Sequence, residues 1–153
     1  MTMKERAAQL RKARAEMRKT LVDDAIASGF NLSALVKARV QRRGEDYQGK
    51  DFPPYTDDYA ERGRRDLGYQ DEYFDFTRTG EAWKSVGVFV KAKDDDSVTV
   101  SIRSDSPSNQ VKFAGAVRKR GNILRSSEQE RSLVLKDFAN RRRERFQKLM
   151  NEQ

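Results

Sequence analysis

The groups in this sequence that could do chemistry are carboxylates, hydroxyls and the cationic heads of lysine and arginine, because histidine and cysteine are both absent. That absence removes a thiolate nucleophile, a histidine general base and a serine–histidine dyad. It also removes disulfides and any zinc site of histidine and cysteine. Carboxylates remain, and their spacing decides what they could do. Asp94, Asp95 and Asp96 stand in a row, yet the stretch lacks the loop glycine and distal bidentate glutamate of a calcium loop. Its expected place is the polar tip of a hairpin. Asp57, Asp58 and Glu61 fall at a helix start, where the helix dipole favours acids. The glycines of RRGEDYQGK lack the spacing of a phosphate-cradling loop and follow no strand. No two carboxylates can be placed face to face in a pocket, so the chain reads as a non-enzyme without cofactor or metal.

The cations are arranged in blocks. Residues 1–50 carry 12 basic and 6 acidic side chains, residues 51–110 carry 8 and 13, and residues 111–153 carry 12 and 5. A basic, acidic, basic order suits subunits that meet opposite charge on their neighbours. The candidates for partner or DNA contact are Arg11, Lys12, Arg14 and Arg18 near the start, and Arg141, Arg142 and Arg143 near the end. Residues 4–19 hold seven cations against two acids. On a projecting helix that density repels itself unless something anionic lies nearby. A helix C-terminus also attracts arginine without any partner, which is the plainer reading of RRRER. No finger, RNP sequence or heptad zipper is present.

The elements that must position these groups follow from periodicity and punctuation. Lys4 to about Ala27 predicts a long helix with Met3, Leu10, Met17 and Leu21 on one stripe. Gly29 is a natural C-cap and Asn31 a natural N-cap for a second helix over 32–41, with Leu32, Leu35, Val36 and Val40 inward, stopped by Gly44. Residues 44–80 mix glycines, prolines, tyrosines and phenylalanines with many charges; Thr56 caps a short helix near 57–64, and the rest should be loop ordered by its aromatics. Gly80 supplies a turn and Trp83, the only tryptophan, a core anchor before a strand. VGVFVKAK and VTVSIR alternate on either side of an acidic turn, which predicts a β-hairpin with Val86, Val88, Val90 and Ala92 on its core face, opposite Val98, Val100 and Ile102. Residues 109–121 predict a short helix ending at Gly121. Ser127 with Glu130 three residues on forms a capping box for a last helix reaching about Met150, with Leu135, Phe138, Phe146 and Leu149 inward.

The fold class is therefore α+β: a β-hairpin or small antiparallel sheet packed by helices, with long N-terminal and C-terminal helices. Residues 1–43 form a helical segment and 44–153 the α+β core, together one domain. No apolar run approaches the length of a membrane span, and the N-terminus lacks a secretory signal, so the chain is expected to stay in the cytoplasm until it is assembled.

Three stretches resemble a known family. They are GEDYQGKDFPPYTDDYAERGRRDLG, the DFTRTGEAWKS block with Thr79, Gly80 and Ser85 at its turn, and RGNILRSSEQE before the final helix. Together they span about residues 35–140 and resemble phage virion morphogenesis proteins, the small tail-completion or head–tail connector subunits. The resemblance implies a virion component made in the bacterial host cytoplasm. It implies a homo-oligomeric ring at the head–tail interface, without catalytic residues, on which portal-side and tail-side proteins dock around the DNA channel. In that setting the basic first helix would face either channel DNA or the acidic middle segment of an adjacent subunit. The second is favoured, because a wall that gripped DNA would oppose its exit. The competing expectation is a basic accessory protein that binds nucleic acid directly.

Overall fold

The computed structural model describes residues 2–151. In chain order the elements are α1 (Met3–Lys19), α2 (Leu21–Arg43), α3 (Asp57–Arg62), a 3-10 turn at Arg65–Leu67, α4 (Glu81–Lys84), β1 (Val86–Lys93), β2 (Val98–Ser104), α5 (Pro107–Arg120) and α6 (Glu128–Asn151). The protein is α+β: helices packed around one two-stranded antiparallel sheet. α2 lies against both strands and α6, while α1 lies along α6.

The first helix pair breaks at a position without glycine or proline. Thr20 is at once the C-cap of α1 and the N-cap of α2, and α2 then runs unbroken through Gly29 to Gly44, where φ is 65°. Gly29 is no cap. A Cβ there would stand 2.5 Å from Val88 Cγ1, so the glycine is what lets helix and sheet approach so closely. Nor does α1 project. Gln9 Nε2 donates to Met150 O at 2.8 Å and Ala13 is fully buried. Met3 and Leu10, expected on its buried stripe, stand in solvent.

The hairpin pairs Val86 with Ser104, Val88 with Ile102 and Val90 with Val100. A register shift between Val90 and Ala92 then sets Ala92 opposite Thr99 and Lys93 opposite Val98. This bulge moves Ala92 off the face that carries Val86 and Val88. Val90, expected in the core, is 40% exposed.

The main core lies beyond the hairpin. Val40, Phe52, Phe74, Trp83, Phe113, Ala116 and Ile123 form one buried cluster, with Tyr55, Phe76 and Val86 against it. Its rings meet edge-on or tilted: Phe52 and Phe74 at 5.5 Å, Phe76 and Phe113 at 4.7 Å, Trp83 and Phe113 at 5.8 Å. The aromatics of residues 44–80 thus order that stretch by joining the same core as α2, α4 and α5. Ser106 caps α5, and Ser127 and Glu130 close the capping box of α6 in both directions, at 3.0 and 2.7 Å. The inward side of α6 is only partly the expected one, with Phe138 and Leu149 half-buried as expected. Glu130 and Val134 are buried, whereas Leu135 is 64% and Phe146 36% exposed.

Gly29→Ala should destabilise the protein by about 1–3 kcal/mol despite the better helix propensity of alanine, because the added methyl overpacks against Val88. Urea denaturation checks this, and adding Val88→Ala to the same chain should recover much of the loss. A Gly29→Ala protein more stable than the parent would mean that the helix does not approach the sheet this closely.

Candidate functional site

Three buried or half-buried arginine clusters fix the geometry of the molecule. Arg39, 3% exposed, donates from Nε to Glu130 Oε1 at 2.8 Å, from Nη1 to Glu45 O at 2.6 Å and from Nη2 to Arg125 O at 2.7 Å. All three nitrogens are satisfied, the condition under which a buried charge is tolerated. Glu130 serves twice, as the counter-ion of Arg39 and as the capping residue of α6.

Arg64, at 2% exposure, organises the aromatic loop. It donates to Gln70 O, to Thr77 O at 2.6 Å and to both carboxylate oxygens of Asp75 at 3.1 and 3.2 Å, and its guanidinium lies 4.4 Å from the centre of the Tyr55 ring. Tyr55 OH donates to Asp75 Oδ1 at 2.7 Å. Burial, then the hydrogen bond to Asp75 and the charge on it, raise the Tyr55 pKa well above its ordinary value, with Arg64 opposing.

Beside this cluster opens a cleft of about 530 Å³, lined by Tyr55, Tyr59, Phe74, Phe76 and the 77–82 turn, with Arg78 and Lys112 at its sides. Gly80 makes the turn at φ 79°, a left-handed conformation that any side chain would strain. Trp83 follows at 4% exposure. Phe76 holds φ 51°, which is unfavourable for a bulky residue and is enforced by its packing on Trp83 and Phe113. Arg64 faces this cleft but is committed to its own acceptors. The cleft offers apolar rings, with Arg78, Glu81 and Lys112 also in its lining. No group of acidic side chains among the described residues is arranged to hold a metal ion.

The basic positions singled out in the sequence divide into three kinds. Arg14 and Arg18 reach the acidic hairpin tip of their own chain: Arg14 Nη2 lies 2.7 Å from Asp96 Oδ2, and Arg18 contacts Asp96 at 3.1 Å and Asp95 at 3.5 Å. The hydrogen bond from Arg18, aided by Arg14, holds the Asp96 carboxyl below its usual range. The acidic partner expected from an adjacent subunit is thus supplied within the chain. Asp94 closes the tip, accepting from Ser97 Oγ and from the Asp96 and Ser97 amides.

Arg141 and Arg142 stitch helices together. Arg142 donates to Met17 O at 2.8 Å, Thr20 Oγ1 at 3.0 Å and Asp24 Oδ2 at 2.9 Å, so it satisfies the carbonyl end of α1 and pairs with the buried acid of α2. Arg141 donates to Ser28 Oγ at 2.7 Å, and its Nε lies 3.1 Å from Asp137 Oδ2 without the alignment of a hydrogen bond. Arg11, Lys12 and Arg143 form no ion pair among the described residues and are exposed. Comparison with family models, curated proteins and solved structures finds no match to this chain.

Sequence reasoning missed Arg39, Arg64, Asp75 and Asp24. Arg64 and Asp75 carried one faint signal, as charges set among Tyr55, Phe74 and Phe76. Arg39 and Asp24 carried none.

Glu130→Ala strands the Arg39 charge in the interior and opens the capping box, and should cost about 3–5 kcal/mol in a denaturant titration. Glu130→Gln, which keeps an acceptor, should cost less. Equal losses for the two would mean that the charge on Glu130 is irrelevant. The raised pKa of Tyr55 makes a second prediction. A folded-state value above the unfolded one, near 10, contributes stability that is complete below pH 10 and is lost as the pH rises beyond it. In an ultraviolet titration one of the five tyrosines should ionise only with unfolding, and Tyr55→Phe should remove that late component.

Proposed function

We propose that this chain is a structural subunit of a tailed bacteriophage particle, forming a homo-oligomeric ring at the head–tail interface as a neck, connector or tail-completion protein. The reading rests first on the three stretches that resemble virion morphogenesis proteins. They fall on the aromatic loop, the turn into the hairpin and the capping segment of α6, the parts that Arg39, Arg64 and the ring cluster bind into one body. The observation that carries the reading is exposed apolar surface on regular helices. Leu35 on α2, Leu133 on α6, and Val111 and Val117 on α5 are 36%, 54%, 72% and 43% exposed. Such side chains on rigid elements are what an assembly subunit presents to neighbours.

In this role the protein works by shape and charge. Its buried cations fix the backbone, and its exposed ones, Arg11, Lys12 and Arg143, remain for portal-side or tail-side proteins or for DNA in the channel. A ring needs no chemistry from the chain. It needs a stiff body with matching surfaces.

Cryo-electron microscopy of tailed particles containing this chain should show it as a closed ring between head and tail. Absence from the particle, or a single copy at the junction, would overturn the reading. A free chain that stays monomeric and binds duplex DNA with an affinity falling steeply with salt would instead support the nucleic-acid accessory role.

A further inference from the structure

The fold leaves two unlike apolar surfaces uncovered, and they match each other. One is the seam between α2 and α6. Two hollows of about 430 and 330 Å³ lie end to end along it, and both are lined by Leu35 and Leu133, which form a saddle between them. Arg42 and Arg43 stand at one end of the seam, and Asp137 at the other. The other surface is the outer side of α5, where Val111, Ala114 and Val117 follow at intervals of three and make one oblique apolar ridge. No α5 residue lines the seam.

We infer that α5 of one copy docks in the α2–α6 seam of the next. Shape supports this. The ridge is large, small, large, with its two valines about 9 Å apart along the axis and the small Ala114 between them. The seam is hollow, saddle, hollow. Length supports it as well: α5 is about 21 Å long, and the seam from Arg42 to Asn31 about 17 Å along α2.

Charge then fixes the direction. The exposed Asp105 lies just before the N-terminal end of α5, and Arg118 and Lys119 lie near its C-terminal end. The acidic end belongs beside Arg42 and Arg43, and the basic end beside Asp137. Arg43 is partly drawn to Glu45, and Asp137 to Arg141, so each keeps capacity for a second partner at an exposed site. Reversing the helix would set Arg118 and Lys119 against Arg42 and Arg43. Because the two surfaces differ and sit on different elements, the contact is head-to-tail. It propagates into a closed ring or a filament and does not stop at a symmetric dimer. This contact rests on the ring reading and supplies its interface.

The test uses sedimentation velocity of the full chain over a wide concentration range, with Val111→Lys, which sets a cation against Arg42 and Arg43, and Leu133→Asp as single-surface variants. Both positions are exposed, so both variants should melt within a few degrees of the parent. The parent should self-associate, and each variant alone should remain monomeric. An equimolar mixture should give a one-to-one heterodimer and nothing larger, because the intact α5 of Leu133→Asp finds the intact seam of Val111→Lys and the remaining surfaces are blocked. Variants that assemble like the parent would overturn this interface while leaving the ring reading in place. A parent that stays monomeric throughout would overturn both.

Discussion

A guanidinium sealed from water needs every one of its nitrogens satisfied, and around Arg39 that requirement joins four separate parts of the chain. α2 provides the arginine, the turn after it provides Glu45 O, the segment before α6 provides Arg125 O, and α6 provides Glu130. None of these acceptors can move far without leaving a buried charge short of a partner, at a cost of several kcal/mol. The angle at which α6 leaves the core is therefore set at its first turn. Arg142, some twelve residues further along, fixes the same helix a second time through Asp24 and the end of α1.

This arrangement explains how a chain with modest apolar content holds long helices in place. Val134 is the only apolar residue of α6 that is buried among the described residues, and Arg141 and Arg142 reach across to α1 and α2. Arginine suits the task, since its stem covers apolar surface while its planar head bonds several acceptors at once. One consequence lies on the outside of the molecule. Leucines and valines that a conventional bundle would turn inward are left on the helix surfaces, where a neighbouring chain could use them.

The aromatic stretch follows the same logic with different materials. Residues 44–80 hold little regular structure, yet Phe52, Phe74 and Phe76 enter the core and Arg64 ties the intervening backbone to Thr77 and Asp75. Local order there comes from a charge and a set of rings, and the strained backbone of Phe76 is the conformation that this packing enforces. The cleft beside it shares Tyr55, Phe74, Phe76 and Ala82 with the core.

Much of the fold was legible in the sequence because its signals are local. Period-2 alternation in VGVFVKAK and VTVSIR, the capping box at Ser127 and Glu130, the stop at Gly44 and the single tryptophan after Gly80 each report on a few consecutive residues. What the tertiary structure decided is whatever depends on a distant partner. Gly29 has the signature of a helix end, but Val88, 59 positions away, makes it a site of close packing inside a helix. The cations of α1 implied an acidic neighbour, and only the fold could place Asp96 of the same chain there. The α6 arginines read as a solvated or partner-binding run, while Met17, Thr20, Asp24 and Ser28 turn three of them, Arg141, Arg142 and Arg145, into internal fastenings. A charged side chain looks the same in sequence whether its partner is water, DNA or a buried carboxylate. The difference lies in which acceptors the completed fold brings within about 3 Å of it.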